Sequence, residues 1–327
     1  MSKLKVFITR VIPEKGYELI RDFCDVDLWI DELPPSREDL LEHVQGVAGL
    51  LCLLTDQIDD EVMDAAGPQL KVISNFAVGF DNIDINVATA RRIPVGNTPD
   101  VLTDATADFA FALMMAVARR IPEGERYVHE GKWKTWGPKT LLGVDIKGAT
   151  LGLIGFGRIG KAVARRAVGF DMRVIYYDPT EPEIRSDIKA LKVDFETLLK
   201  ESDFISLHTP LTNETRHLIN SEALSKMKPT AVLINTARGP IVDLDALYEA
   251  LKQNRIFGAG LDVTEPEPLP PDSPLLTLDN IVITPHLGSA SITARDNMSW
   301  MAAQNLIAGL KGNRLPNCVN PQVYLQK

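Results

Sequence analysis

Three polar residues in the second half of the chain are of the types that carbonyl chemistry needs. Arg238 ends the run AVLINTAR (231–238) just ahead of Gly239, Glu267 sits in LDVTEPEPL (261–269), and His286 follows NIVITP (280–285). An arginine offers a planar fork to a carboxylate. A histidine exchanges a proton near neutral pH, and a neighbouring carboxylate favours its imidazolium form. Together they could hold and reduce a carbonyl that lies beside a carboxylate. Taken one at a time, the residue types leave plainer readings open: a surface charge for Arg238, a solvated carboxylate for Glu267, a structural role for His286. For His43, His129, His208 and His217 we adopt the structural reading.

Reduction needs a hydride source, and the chain carries a cradle for one. Gly155, Gly157, Arg158, Ile159 and Gly160 lie in GFGRIG, which directly follows the strand-like TLGLI (150–154) and opens a helix-like segment to Phe170. In that context the glycines serve a tight turn, a close backbone approach to a pyrophosphate and close helix-to-strand packing, with the helix N-terminus facing the anion. Asp178 closes RVIYYD, 18 residues beyond Gly160, where the dinucleotide fingerprint places an acidic partner for the adenosine ribose. A carboxylate there repels a 2′-phosphate, and Pro179 and Thr180 supply no cation. NAD(H) is therefore expected over NADP(H). Arg185 is read as an exposed charge on a helix.

These residues sit at the ends of apolar runs that read as strands. Residues 5–9, 47–54 and 71–75 form a first series with helices at 14–23 and 60–66, and a second series begins at Thr150. Strands with so little polar alternation are expected in parallel sheets covered on both faces. Between the series, 100–120 reads as a helix too apolar for an open surface, and 120–148 as an arm with exposed aromatics. We expect two doubly wound α/β domains of the Rossmann or flavodoxin-like kind: a discontinuous substrate domain, 1–98 with 290–327, and an NAD-binding domain, 99–289.

The composition narrows the function classes. The 327 residues carry 35 Lys and Arg against 44 Asp and Glu, a net charge of −9. That field repels phosphate backbones and anionic surfaces, so neither nucleic acid nor membrane is an expected partner. Cys24, Cys52 and Cys318 are an odd number without metal-site spacing. With no leader-like or membrane-spanning stretch, a cytoplasmic protein without a bound metal is expected.

The combination GFGRIG, Asp178, NTARGPIVD (235–243), LDVTEPEPLP (261–270) and TPHLGSA (284–290) resembles the D-2-hydroxyacid dehydrogenases over essentially the whole chain. Within them, LLCLLTDQID, LKVISNFAVGFDNID, NTPDVLTDATADFAFALMMAVARR and GKWKTWGP are most similar to glyoxylate and hydroxypyruvate reductases. The resemblance implies that Arg238 binds the substrate carboxylate, that His286 donates the proton and that Glu267 pairs with His286. It implies that the backbone amides of Val78 and Gly79 also bind the carboxylate and that Leu53 limits substrate size. Thr106, Thr209, Pro210, Ala237 and Asp262 would line the cofactor. Trp136 stands where this group carries an aromatic that reaches a neighbouring subunit's site, which implies a homodimer built through residues 131–148. The implied reaction is NADH-dependent reduction of glyoxylate or hydroxypyruvate, small 2-keto acids.

The chain departs from several similar glyoxylate reductases, which prefer NADPH and lack an acidic residue at the Asp178 position. Other members of the family remain alternatives, acting on D-lactate, 3-phosphoglycerate or phosphite. So does an NAD-sensing corepressor, against which the absence of long tails counts.

Overall fold

The computed structural model describes residues 3–183 and 188–325, and Arg185 lies outside them. The chain divides into two compact units, Met1–Leu102 with Ala290–Lys327, and Thr103–Ser289.

The first unit opens with β1 (Lys5–Ile8), α1 (Glu14–Phe23), β2 (Asp25–Leu28), α2 (Arg37–His43), β3 (Gly49–Cys52), α3 (Asp60–Ala66), β4 (Val72–Asn75), α4 (Ile85–Ala90) and β5 (Val95–Gly96). Its helices start where side chains satisfy the orphan amides of a first turn. Ser36 and Asp39 cap α2 reciprocally, and Asp59 and Asp84 accept from Val62 N and Val87 N at α3 and α4. The strands are parallel and run in the order β2-β1-β3-β4-β5. Every residue of β3 and β4 is buried, as expected of strands covered on both faces.

The second unit contains α5 (Thr103–Ala118), α6 (Ile121–His129), β6 (Thr150–Ile154), α7 (Arg158–Ala167), β7 (Arg173–Tyr177), β8 (Ala190–Lys192), α8 (Phe195–Glu201), β9 (Phe204–Leu207), α9 (Ser221–Lys226), β10 (Val232–Asn235), α10 (Leu244–Lys252), β11 (Gly258–Leu261) and β12 (Ile281–Ile283). Among the described residues seven parallel strands run in the order β12-β11-β10-β9-β6-β7-β8. The order reverses between β6 and β9, and between β1 and β3 in the first unit. Those are the points at which doubly wound sheets bind ligands, beyond the C-terminal strand ends. The chain then returns to the first unit as α11 (Ile292–Leu310), which packs on α1, β3 and β4.

The apolar character of 100–120 has a local cause. Helix α5 lies on β10 and β11 and also meets α7, all within the second unit. Alternate side chains of the larger sheet feed two cores: Leu151, Leu153, Val232 and Ile234 with α5 and α7 on one face, and Ile154, Ile205, Leu207 and Leu233 with α8 to α10 on the other. One sequence expectation needs correction. The segment 120–148 is not an irregular arm throughout, because 121–129 is α6, whose Pro122 sits in the first turn. The two tryptophans beyond it, Trp133 and Trp136, are exposed.

Candidate active site

Helix α7 begins where β6 ends, and the turn between them is shaped by glycine. Gly155 has φ +90°, and a Cβ there would stand 2.6 Å from the His208 carbonyl carbon and 2.7 Å from Thr209 N. At Gly160 a Cβ would overlap the Gly155 carbonyl oxygen, so the first turn of α7 can press against the loop only without a side chain. Gly157, by contrast, has open space where a Cβ would go. Thr209 and Pro210 follow β9 directly across the switch point, and Arg158 and Ile159 occupy the first positions of α7, Ile159 packed on the core.

His208 lies beneath this turn. Its Nε2 is 2.9 Å from Ser206 Oγ, and burial pushes its pKa down to about 3, so the imidazole is neutral at ordinary pH. It is a structural residue, as read from the sequence.

Asp178 is held with an acceptor direction to spare. Phe156 N donates to Oδ2 at 2.8 Å, and Thr180 donates to Oδ1 from its amide at 2.9 Å and its hydroxyl at 2.6 Å. Burial pushes the carboxyl up, but these bonds and the charge of Lys192 outweigh it and hold it below the usual carboxylate range. A carboxylate accepts about four hydrogen bonds, which leaves one for a ribose hydroxyl. Lys192 is a residue that sequence reasoning missed. It comes from β8, an edge strand too short and polar to stand out, and its Nζ donates to Thr180 O at 2.8 Å and lies 3.8 Å from Glu181.

At the C-terminal end of β10, Asn235 Oδ1 accepts from Ala237 N at 3.0 Å and Asn235 Nδ2 donates to Arg238 O at 2.8 Å. The buried side chain of Asn235 thereby fixes the turn that presents Arg238. Between them the Thr236 hydroxyl is buried without a hydrogen-bond partner among the described residues. Thr236 is a second residue the sequence did not single out, because a threonine in NTAR has no chemical signature until its environment is known. An orphaned hydroxyl, a glycine turn with an open approach and a carboxylate with a spare acceptor are each features a dinucleotide can use. The residues present therefore fit a nicotinamide dinucleotide.

The His286–Glu267 pair is built by Asp262 and the loop after β11. Asp262, buried at the end of that strand, accepts from the Thr284 hydroxyl, Leu287 N and Gly288 N, each at 2.7 Å. Its backbone carbonyl accepts from His286 N at 2.9 Å. These bonds hold His286 in the left-handed region, φ 58°, a conformation that needs such support. They also leave Asp262 about one acceptor direction unused among the described residues. Thr106, buried in α5, lies beside the same turn, since a Cβ on Gly288 would come within 3.4 Å of it. His286 Nδ1 stands 2.6 Å from Glu267 Oε1. Burial pushes the Glu267 carboxyl up, but the bond to His286, its charge, the Thr264 amide and the charge of Arg238 overcome that and hold it low. Arg238, Glu267 and His286, 48 residues apart in sequence, are thus brought together in one unit.

Leu53, Val78 and Gly79 belong to the first unit, on the loops that leave the C-terminal ends of β3 and β4. Trp136 is 79% exposed. Among the described residues no group of three or more His, Cys, Asp or Glu side chains could hold a metal, and no helix is long and apolar enough to cross a membrane.

A parallel sheet of this order, a glycine cradle at its switch point and a His–Glu pair on the same edge define a nicotinamide-dependent oxidoreductase. The profile of "D-isomer specific 2-hydroxyacid dehydrogenase, NAD binding domain" matches residues 111–288. The chain belongs to the D-2-hydroxyacid dehydrogenase family. It is 55% identical over 326 residues to a glyoxylate reductase of Thermococcus litoralis, covering 98% of each chain. Among solved structures, a Thermus thermophilus protein superposes with a TM-score of 0.92 at 49% identity, over 97% of this chain and 100% of that one. An NADPH-dependent glyoxylate/hydroxypyruvate reductase from Sinorhizobium meliloti does so with 0.85 at 31%, over 98% of each.

Proposed function

We propose that this dehydrogenase reduces glyoxylate, and hydroxypyruvate as a second substrate, with NADH as the preferred donor. The observation that carries the reading is the His286–Glu267 pair at 2.6 Å beside Arg238, an acid and an anion clamp on one edge. When bound, the reduced nicotinamide supplies hydride to the carbonyl carbon. Arg238 holds the substrate carboxylate and polarises the adjacent carbonyl, and in the first unit the amides of Val78 and Gly79 are the donors offered to a carboxylate. Protonated His286 gives its proton to the carbonyl oxygen, so glycolate or D-glycerate leaves. Glu267 keeps the imidazole oriented. Thr106, Thr209, Pro210, Thr236, Ala237 and Asp262 line the cofactor, the Gly155–Gly160 turn takes the pyrophosphate, and Asp178 takes the ribose.

The choice of NADH rests on Asp178. Its carboxyl is ionised and already ordered by three bonds, so a 2′-phosphate would meet a fixed negative charge. Lys192 does not reverse this, being committed to the Thr180 carbonyl and Glu181. Steady-state kcat/KM for glyoxylate is expected to be higher with NADH than with NADPH, and Asp178→Ser is expected to narrow the ratio by about tenfold. A wild-type preference for NADPH would refute the carboxylate argument.

The pair also sets a pH dependence. Hydrogen bonding to His286 and its charge help hold the Glu267 carboxyl below its ordinary value, so the carboxylate form is favoured in the folded protein. The stability this ion pair contributes is present above the ordinary carboxylate value and is lost as pH falls through the lowered one. In Glu267→Gln the imidazole loses its charged partner, and kcat/KM for reduction is expected to fall by about tenfold. An unchanged kcat/KM would show that Glu267 does not act on the proton donor.

The exposed rings of Trp133 and Trp136 support a homodimer formed through the segment beyond α6. Sedimentation velocity at micromolar concentration is expected to show one species of twice the chain mass, and a monomer would remove that assembly.

A further inference from the structure

The first unit contains a buried polar network that the reaction scheme does not use. It links the two loops on which substrate recognition depends. Strands β3 and β4 are adjacent, with Cys52 opposite Asn75, so the loops 53–57 and 76–82 leave the same sheet edge side by side. Asn82, 8% exposed, donates from Nδ2 to Leu53 O at 2.9 Å and to Asp56 O at 3.1 Å. Its Oδ1 accepts from Asn75 Nδ2 at 3.0 Å, and the same nitrogen of Asn75 donates to Gly79 O at 2.9 Å. Asn75 is fully buried. Two side-chain amides therefore span from the carbonyl of Leu53 on one loop to the carbonyl of Gly79 on the other.

The same loops are tied at their neighbouring peptides. Ala77 O accepts from Thr98 N at 2.9 Å and Val78 O accepts from Asn97 Nδ2 at 2.8 Å. In a planar trans peptide the N–H points opposite to the C=O. Tethering the carbonyls of Ala77 and Val78 therefore turns the N–H groups of Val78 and Gly79 to the other side, and among the described residues neither donates a hydrogen bond. On the Leu53 side, Asp56 Oδ2 accepts from Leu53 N at 2.7 Å and from the Thr9 hydroxyl at 2.5 Å, so both polar groups of the Leu53 backbone are fixed. Burial holds the Asp56 carboxyl above its usual range, although these bonds oppose it.

We propose that Asn75 and Asn82 are positioning residues that lock the Leu53 loop to the Val78–Gly79 loop. The size limit on the substrate and the aim of its anion-binding amides are then set as one geometry. The class selected is a 2-oxo acid with a very small substituent. This rests on the reading that those amides take the substrate carboxylate. Neither asparagine touches substrate, and each acts through backbone groups it holds.

The test compares wild type with Asn82→Ala, Asn75→Ala, the double variant and Asn82→Asp. Asn82→Asp keeps the shape but removes both donors, so it tests the bonds without opening a cavity. Hydrogen exchange read on peptides 50–57 and 76–84 is expected to speed up in both loops in each single variant, and no further in the double variant than in the faster single one. KM for glyoxylate is expected to rise by about tenfold to a hundredfold, the usual consequence of leaving buried carbonyls unsatisfied. NADH affinity, read by tryptophan quenching, is expected to stay unchanged, and the kcat/KM advantage of glyoxylate over a branched 2-oxo acid is expected to shrink. Faster exchange confined to the loop next to the substitution would overturn the lock. So would equal losses in NADH affinity and glyoxylate KM, which mark general destabilisation. If wild type turns over no 2-oxo acid, the functional reading fails by itself, and the exchange data still decide whether the loops are coupled.

Discussion

Replacing His286 with alanine is expected to lower kcat for glyoxylate reduction by on the order of 10²–10⁴-fold, the usual worth of a positioned general acid. NADH affinity is expected to be unchanged. The separation follows from how the residue is held. In the proposed mechanism the imidazole acts through its ring alone, which is paired through Nδ1 with Glu267. The turn that carries it is fixed by backbone amides bonded to Asp262, which remain in the variant. The alanine variant therefore keeps the local scaffold and loses the proton. Stopped-flow reduction at saturating NADH, with cofactor binding measured in parallel, reads both quantities. Turnover near the wild-type level would remove His286 as the donor. A matching loss of NADH affinity would mean that the side chain shapes the cofactor site.

Arg238→Ala is expected to cost on the order of 10²–10³-fold in kcat/KM, comparable to the removal of one preorganised donor from an anionic transition state. The loss is expected in both parameters, because in the proposed mechanism the guanidinium binds the carboxylate in the ground state and polarises the carbonyl as charge develops. Arg238→Lys restores a charge but not the planar fork, so it is expected to recover only part of the loss. Asn235 Nδ2 bonds the backbone carbonyl of residue 238, and that anchor survives either substitution. A loss seen only in KM would confine Arg238 to binding. No loss at all would transfer the anion clamp to the amides of Val78 and Gly79 alone.

Much of this molecule is legible in its sequence where the signal is local. The GFGRIG turn declares itself because strand, glycine spacing and helix are contiguous, and the acid at 178 lies at a fixed distance along the same unit. Helices α1 and α3 begin and end where the sequence puts them, at 14–23 and 60–66. Strands β2, β5 and β8 escape notice for a physical reason. They lie at sheet edges, are as short as two residues in β5, and in β2 and β8 carry exposed or half-exposed residues, so they lack the apolar run that marks a buried strand. Helix α6 escapes because its residues are partly or fully exposed, which leaves a polar stretch that reads as loop.

The sequence by itself determined the fold class and the dinucleotide cradle, because residue type and short-range spacing suffice for both, and it supplied Arg238, Glu267 and His286 as candidates for the chemistry. Only the tertiary structure decided that Glu267 reaches His286, that Asp262 spends three bonds on the turn beneath it, and that Lys192 stands beside Asp178. It alone showed that Asn75 and Asn82 join two loops. Hydrogen bonds depend on distance and direction to within tenths of an ångström, and the residues that make these are separated by up to 29 positions along the chain. Asparagine, threonine and aspartate look alike in a sequence whether they face water or a buried carbonyl. Which of the two they face is settled by packing.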